Sequence, residues 1–236
     1  CDSFPKLFDL IDEAPSMELD TVDSSSFKNV VDACTLCDMC FMVSCPYVPP
    51  HEFAIDIPSI FIRYKALENK KNADTINSQI AKTDLNGRIG VFFSIISNFF
   101  LNKRRIFFRK ILSLFTGIDT SVTLPRFNKI SFKKFFAKYK KKFEFKKHYN
   151  EKILIFNSCY VNYNDSKIGE ALVKVLEKNN VYMEQFYEGC CKMPQLEQGK
   201  VHEVQLQSEK TAHILKEKID QGFKVVTPIA SCALMI

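Results

Sequence analysis

The chain has 236 residues, 46% of them hydrophobic, with a net charge of +6 and nine cysteines. That length and apolar content fill one large domain or two modest ones and exclude wholesale disorder. The thiols are odd in number and clustered, 113 cysteine-free residues separate Cys45 from Cys159, and no apolar h-region opens the sequence. The pattern disfavours a secreted disulfide scaffold and points to ligand thiolates in a reducing, cytoplasmic compartment.

Residues 1 to about 85 open acidic and read as helical. "FPKLFDLIDEAP" places Phe4, Leu7, Phe8 and Ile11 at helical spacing, ending before Pro15. "SSSFKNVVDACTLCDMC" follows, with a serine as its expected cap and Phe27, Val30, Val31 and Cys34 on one face. "DIPSIFIRYKALENKKNADT" predicts a third helix with Ile60, Ile62, Tyr64 and Leu67 turned mostly inward. Residues 86 to about 150 are basic and rich in phenylalanine. From Lys103 to Lys147, fifteen Lys or Arg face two acids, Asp119 and Glu144. This segment is expected to be either a helix and solvated linker or a surface drawn to anionic lipid headgroups. Its aromatic–lysine interleaving also suits single-stranded nucleic acid, but no nucleic-acid module is present, so no such partner is expected. The apolar run "IGVFFSIISNFFL" falls short of the roughly 20 residues a spanning helix needs.

Residues 151–236 change pattern. "KILIFNSC", "VYMEQF" and "FKVVTPIASC" read as strands. Between them lie an amphipathic helix using Ile168, Leu172, Val175 and Leu176 and a long helix closed by Gly222. The order β-α-β-α-β predicts a parallel sheet with right-handed crossovers. The fold class expected for the whole chain is α+β, divided at 1–85, 86–150 and 151–236.

Cys34, Cys37, Cys40 and Cys45 follow C-x2-C-x2-C-x4-C-P. Zinc favours paired C-x2-C units set apart, whereas a triplet of thiolates suits the corners of an iron–sulfur cubane. In two-cluster ferredoxins the cysteine before proline serves the other cluster. On that rule Cys1, followed by "DSFP", would complete the cluster of Cys34, Cys37 and Cys40. Cys45 would then serve a second cluster with residues upstream. A chain that opens on Cys1 and finishes on "CALMI" is accordingly expected to be an internal piece of a longer protein. The x4 gap departs from the commoner x3.

Cys159, the Cys190–Cys191 pair and Cys232 each follow a predicted strand. Loops beyond the carboxyl ends of parallel strands meet in one crevice, so four thiols are expected in one place. A cluster site, a redox-active dithiol and inert buried cysteines all remain open from spacing alone. His51, His148, His202 and His213 form no ligand spacing, and "NGRIG" follows no predicted strand, so it is no phosphate loop. No paired carboxylates or Ser/His arrangement assigns a catalytic residue.

The segments "CDSFPKLFDLIDE", "CTLCDMCFMVSCPYVPPH", "SCYVNYND", "EGCCKMPQLEQG" and "SCALM" resemble the iron–sulfur C-subunits of anaerobic glycerol-3-phosphate dehydrogenases. More broadly, they resemble heterodisulfide-reductase-related cysteine-rich proteins. The resemblance implies an α-helical ferredoxin module with two 4Fe–4S clusters and one copy of a cysteine-rich repeat. It also implies an electron-transfer protein, not itself catalytic, between a flavin-containing oxidoreductase subunit and an acceptor such as a membrane quinone. With the basic segment, the expected location is cytoplasmic, with peripheral attachment at the inner face of the cell membrane. Two positions depart from the family pattern: Lys192 replaces the glycine after the cysteine pair, and Met235 stands at the last cysteine. Four thiols remain, enough for a third 4Fe–4S centre, while disulfide reduction of the heterodisulfide reductase type becomes the alternative, with a metal-stapled adaptor beside it.

Overall fold

The computed structural model describes residues 1–71, 75–142 and 149–236. The end of the third predicted helix, residues 72–74, and Phe143–His148 of the basic stretch lie outside them. The fold is α+β: mostly helical, with one three-stranded parallel sheet.

The chain divides into two compact units, Cys1–Asp74 with Pro194–His202, and Thr75–Met193 with Glu203–Ile236. In the first unit α1 (Ser3–Asp12) and α2 (Phe27–Asp32) pack together, and α3 (Ile57–Lys71) joins α2. The Ser3 hydroxyl donates to the Val30 carbonyl at 2.8 Å, tying the start of α1 to α2. Ser26 occupies the cap position of α2 but makes no side-chain cap bond. The inward face expected of α3 is only partly realised. Ile60 and Leu67 are 53% and 60% exposed, whereas Lys65 is buried with its Nζ donating to the Cys34 carbonyl at 2.8 Å. Ile60 lines an open apolar cavity of about 450 Å³ with Phe4, Phe27, Val30 and Phe61.

The second unit begins with α4 (Thr75–Ile80), α5 (Thr83–Phe92), α6 (Ser94–Leu101), α7 (Ile106–Thr116) and α8 (Phe132–Lys142). The long apolar run is thus broken into α5 and α6, and among the described residues no helix is long and apolar enough to cross a membrane. Arg109 of α7 is buried, and its Nη2 donates to the carbonyls of Asp119 and Val122, holding the following loop against the helix.

There follow β1 (Lys152–Phe156), α9 (Cys159–Tyr163), α10 (Ser166–Lys178), β2 (Tyr182–Phe186), α11 (Met193–Leu196), α12 (Val201–Asp220), β3 (Lys224–Val226) and α13 (Ala230–Leu234). The strand order is β2-β1-β3, with Phe156 beside Phe186 and Ile155 beside Val226. Alternation along β1 sends side chains to two cores. Ile153 and Ile155 pack with Phe132, Phe136, Val161 and Val173, while Leu154 and Phe156 pack with Phe186, Leu215 and Phe223. Helices α8, α9 and α10 therefore cover one face and α12 the other. Val173 of α10 is fully buried and Val175 is 56% exposed, the reverse of the expected stripe at that point. Gly222, at φ 85°, closes α12 with its N–H on the Ile219 carbonyl at 2.8 Å.

The last helix of the basic segment is thus a layer of the α/β unit. Phe132 and Phe136, four residues apart, enter the core, and Lys140, Lys141 and Lys142 crowd the carboxyl end, where the helix dipole favours cations. Phe132→Ala should lower the unfolding free energy by about 3–5 kcal/mol, as expected for emptying a fully buried phenylalanine site. Urea titration followed by far-UV circular dichroism checks this, and a loss below about 1 kcal/mol would mean that α8 is not part of the core.

Candidate metal centre

Three loops at the carboxyl ends of the strands carry the second thiol set. After β1 the Ser158 Oγ accepts from the Val161 N–H at 3.1 Å, capping α9 and fixing Cys159 in its first turn. Cys190 and Cys191 follow β2, and Cys232 lies in α13 beyond β3. The sulfurs stand in two pairs: Cys159 and Cys190 are 3.6 Å apart, and Cys191 and Cys232 are 3.5 Å apart. Cys190 and Cys232 are 1% and 4% exposed. Sharing of hydrogen bonds sets the charge pattern. The Cys159 partner, then Cys191, pulls the Cys190 thiol down, and the Cys191 partner pulls Cys232 down. Cys159 is pushed up by its bond with Cys190, and Cys191 by its bonds with Cys190 and then Cys232. Four neighbouring sulfurs thus keep protons between them; a bound cation would displace those protons and favour four thiolates.

The chain turns sharply around the cysteine pair. Lys192 holds left-handed backbone, φ 71°, which glycine adopts without the steric cost. Its N–H points to the Cys190 sulfur at 3.4 Å. Met235 and Cys191 line the same cavity, of about 90 Å³, against Thr211 and Leu215 of α12.

Helix α5 closes the other side, which spacing did not foretell. Asp84 Oδ2 accepts from the Cys190 N–H at 2.8 Å, and Oδ1 accepts from the buried Tyr187 hydroxyl. Burial, and then the Asp84 charge, push the Tyr187 phenol well above its usual range, so it stays a donor. The Thr83 Oγ1 is buried and forms no well-aligned hydrogen bond, yet it lies beside Cys159 and Cys190 and favours their thiolates. At Gly87 a Cβ would stand 2.2 Å from the Tyr163 ring, so only glycine lets α5 approach α9 this closely. The sequence signal for this contact is the small residue at 87, one turn after "TD".

The first thiol set is more open. Cys34 is half-buried, and the backbone turns through left-handed Leu36 and Asp38 to reach Cys40 at the head of a π-helical turn, Cys40–Ser44. Burial raises the Cys40 thiol, and neighbouring Cys34 and Cys37 add to it. Cys40 and Cys45 line a cavity of about 170 Å³ with Phe4, Phe41 and Val48. Cys1 is exposed before α1, and Cys37 is exposed as well. Among the described residues, no three His, Cys, Asp or Glu side chains converge tightly enough to hold a single metal ion.

Residues 153–236 match the CCG family, described as a cysteine-rich domain. Over 184 residues the chain is 23% identical to the C-subunit of anaerobic glycerol-3-phosphate dehydrogenase from Escherichia coli strain K12, and equally to that from Escherichia coli O157:H7. These matches cover 77% of this chain and 45% of each relative, so the chain spans about half the length of the curated relatives it matches. No solved structure matches it.

The second thiol set is an all-sulfur donor set, soft ligands that suit iron–sulfur centres, and the orphaned Thr83 hydroxyl of α5 lies beside it. The residues present therefore fit such a group. Asp84→Ala should lower stability by about 1–3 kcal/mol for each donor left unpaired, the Cys190 N–H and the Tyr187 hydroxyl. Urea unfolding of the variant beside the unmodified chain measures this; equal midpoints would show that α5 does not hold the cysteine loop.

Proposed function

We propose that the chain relays single electrons through iron–sulfur clusters of the 4Fe–4S type. In this reading Cys159, Cys190, Cys191 and Cys232 hold one cluster, Cys1, Cys34, Cys37 and Cys40 hold another, and Cys45 serves a further one. The observation that carries it is the convergence of four thiols from three loops, two of them buried, with sulfur as every donor of the set. A bound cluster supplies reversible one-electron transfer. The protein contributes the thiolates, excludes water through the two cores, and places the Lys192 N–H against the Cys190 sulfur. The name of the relatives supports a dehydrogenase subunit as the partner. We assign that subunit a flavin and give the relay a membrane quinone as acceptor. Thiol–disulfide exchange needs an accessible thiolate, and Cys190, the most acidic of the set, is 1% exposed, which favours the relay.

Anaerobically reconstituted protein should contain iron and acid-labile sulfide and give an EPR signal on reduction. Cys37→Ser should remove part of that iron and leave the Cys159–Cys232 centre loaded. A well-folded preparation with zinc and no sulfide would contradict the proposal.

The same reading places the protein peripherally on the anionic inner face of the cell membrane. Support comes from α6 and α7, which pack against each other yet leave Ile95, Phe107, Leu114 and Phe115 between 69% and 84% exposed. Lys103, Arg104, Arg105 and Lys110 flank this face, and 95–116 contains no acid. Apolar side chains beside cations suit a headgroup boundary, each Lys or Arg contributing about 1 kcal/mol near an anionic surface. Co-sedimentation with phosphatidylserine-containing vesicles should fall at high salt and fall again in Phe107→Ser/Leu114→Ser. Sedimentation insensitive to both would remove the membrane from the account.

A further inference from the structure

The second thiol set has a polar contact that its sulfur ligands do not require. Helix α5 lies about a hundred residues before the cysteine pair in sequence, yet its first turn is fastened to the thiol site at two points. Asp84 accepts from the Cys190 N–H at 2.8 Å and from the Tyr187 hydroxyl. Tyr187 is 7% exposed, so its end of this clamp is shielded from water, while Asp84 is half-buried. The close approach at Gly87 to Tyr163 sets the helix against α9, which carries Cys159. Between these anchors sits Thr83, whose buried hydroxyl satisfies no protein oxygen or nitrogen.

A buried hydroxyl without a partner costs about 1–3 kcal/mol. The fold meets that cost where the hydroxyl adjoins the sulfurs of Cys159 and Cys190. Those sulfurs become strong acceptors once they are thiolates bound to metal, because charged acceptors take stronger hydrogen bonds than neutral ones. We infer that Thr83 is a positioning residue that donates its hydroxyl hydrogen to a ligand sulfur of Cys159 or Cys190 and so sets the reduction potential of that centre. The inference rests on the iron–sulfur reading above. Reduction adds negative charge to the centre and its ligands, and a donor to sulfur stabilises that charge. Loss of the donor therefore makes the centre harder to reduce. Asp84 acts through the backbone, fixing the Cys190 loop so that the Thr83 hydroxyl and the sulfurs stay in register.

The test is a redox titration by EPR of the reconstituted full chain, Thr83→Val and Thr83→Ser. The relevant signal is the one that Cys190→Ser removes. Thr83→Val is nearly isosteric and should load iron and sulfide like the parent, with its midpoint potential shifted negative, while Thr83→Ser keeps the parent midpoint. If Thr83→Val fails to load but Thr83→Ser loads with the parent midpoint, the hydroxyl is equally required. A Thr83→Val midpoint equal to the parent's overturns the inference, as does failure of both variants to load. A parent chain without iron or sulfide at this thiol set overturns the iron–sulfur reading itself and this inference with it, an outcome separate from a loaded parent with an unmoved variant.

Discussion

The structure around the sheet depends on placing four sulfurs where the strands end. Three parallel strands point the same way, so their carboxyl-terminal loops share one side. Cys159 comes three residues after β1, Cys190 four after β2 and Cys232 six after β3, and the sulfurs meet in pairs 3.5–3.6 Å apart. The two cores that hold the strands together also dehydrate the site. Cys232 belongs to the core of Leu154, Phe156 and Leu215, and Val161, two residues after Cys159, belongs to the other. Packing and ligand placement are therefore one problem in this fold.

Such a site is unfavourable when empty of positive charge. Neighbouring thiolates repel, and burial penalises each of them. The sulfurs respond by sharing protons, with Cys190 and Cys232 drawn toward the thiolate and Cys159 and Cys191 kept protonated. The backbone contributes as well, through the Lys192 N–H at 3.4 Å from the Cys190 sulfur. Lys192 takes a left-handed conformation, which costs a residue with a side chain more than it costs glycine. Met235 shares a cavity with Cys191, so an apolar thioether lines the same space as one sulfur of the set.

Much of this was legible in the sequence because it is periodic or local. The β-α-β-α-β order and the helix of Phe4, Leu7 and Ile11 follow from alternation and 3.6-residue spacing. Cys159, the Cys190–Cys191 pair and Cys232 each stand after a strand that its own residues announce. What escaped was carried by distant contacts. The Asp84 bonds to Tyr187 and Cys190 span more than a hundred residues and leave no local pattern. In α3 the apolar residues are spread around the helix, so spacing did not show that Ile60 and Leu67 would stay exposed while Lys65 turned inward to the Cys34 carbonyl. In α8 the spacing of Phe132, Phe136 and Tyr139 was present but masked by the lysines between them, and it marks a core layer.

The most direct test of the central claim is anomalous diffraction at the iron absorption edge from crystals of the anaerobically reconstituted chain. The account predicts iron peaks beside the sulfurs of Cys159, Cys190, Cys191 and Cys232 at the carboxyl end of the sheet. Four metal-free sulfurs there, with iron bound elsewhere in the same crystals, would contradict it.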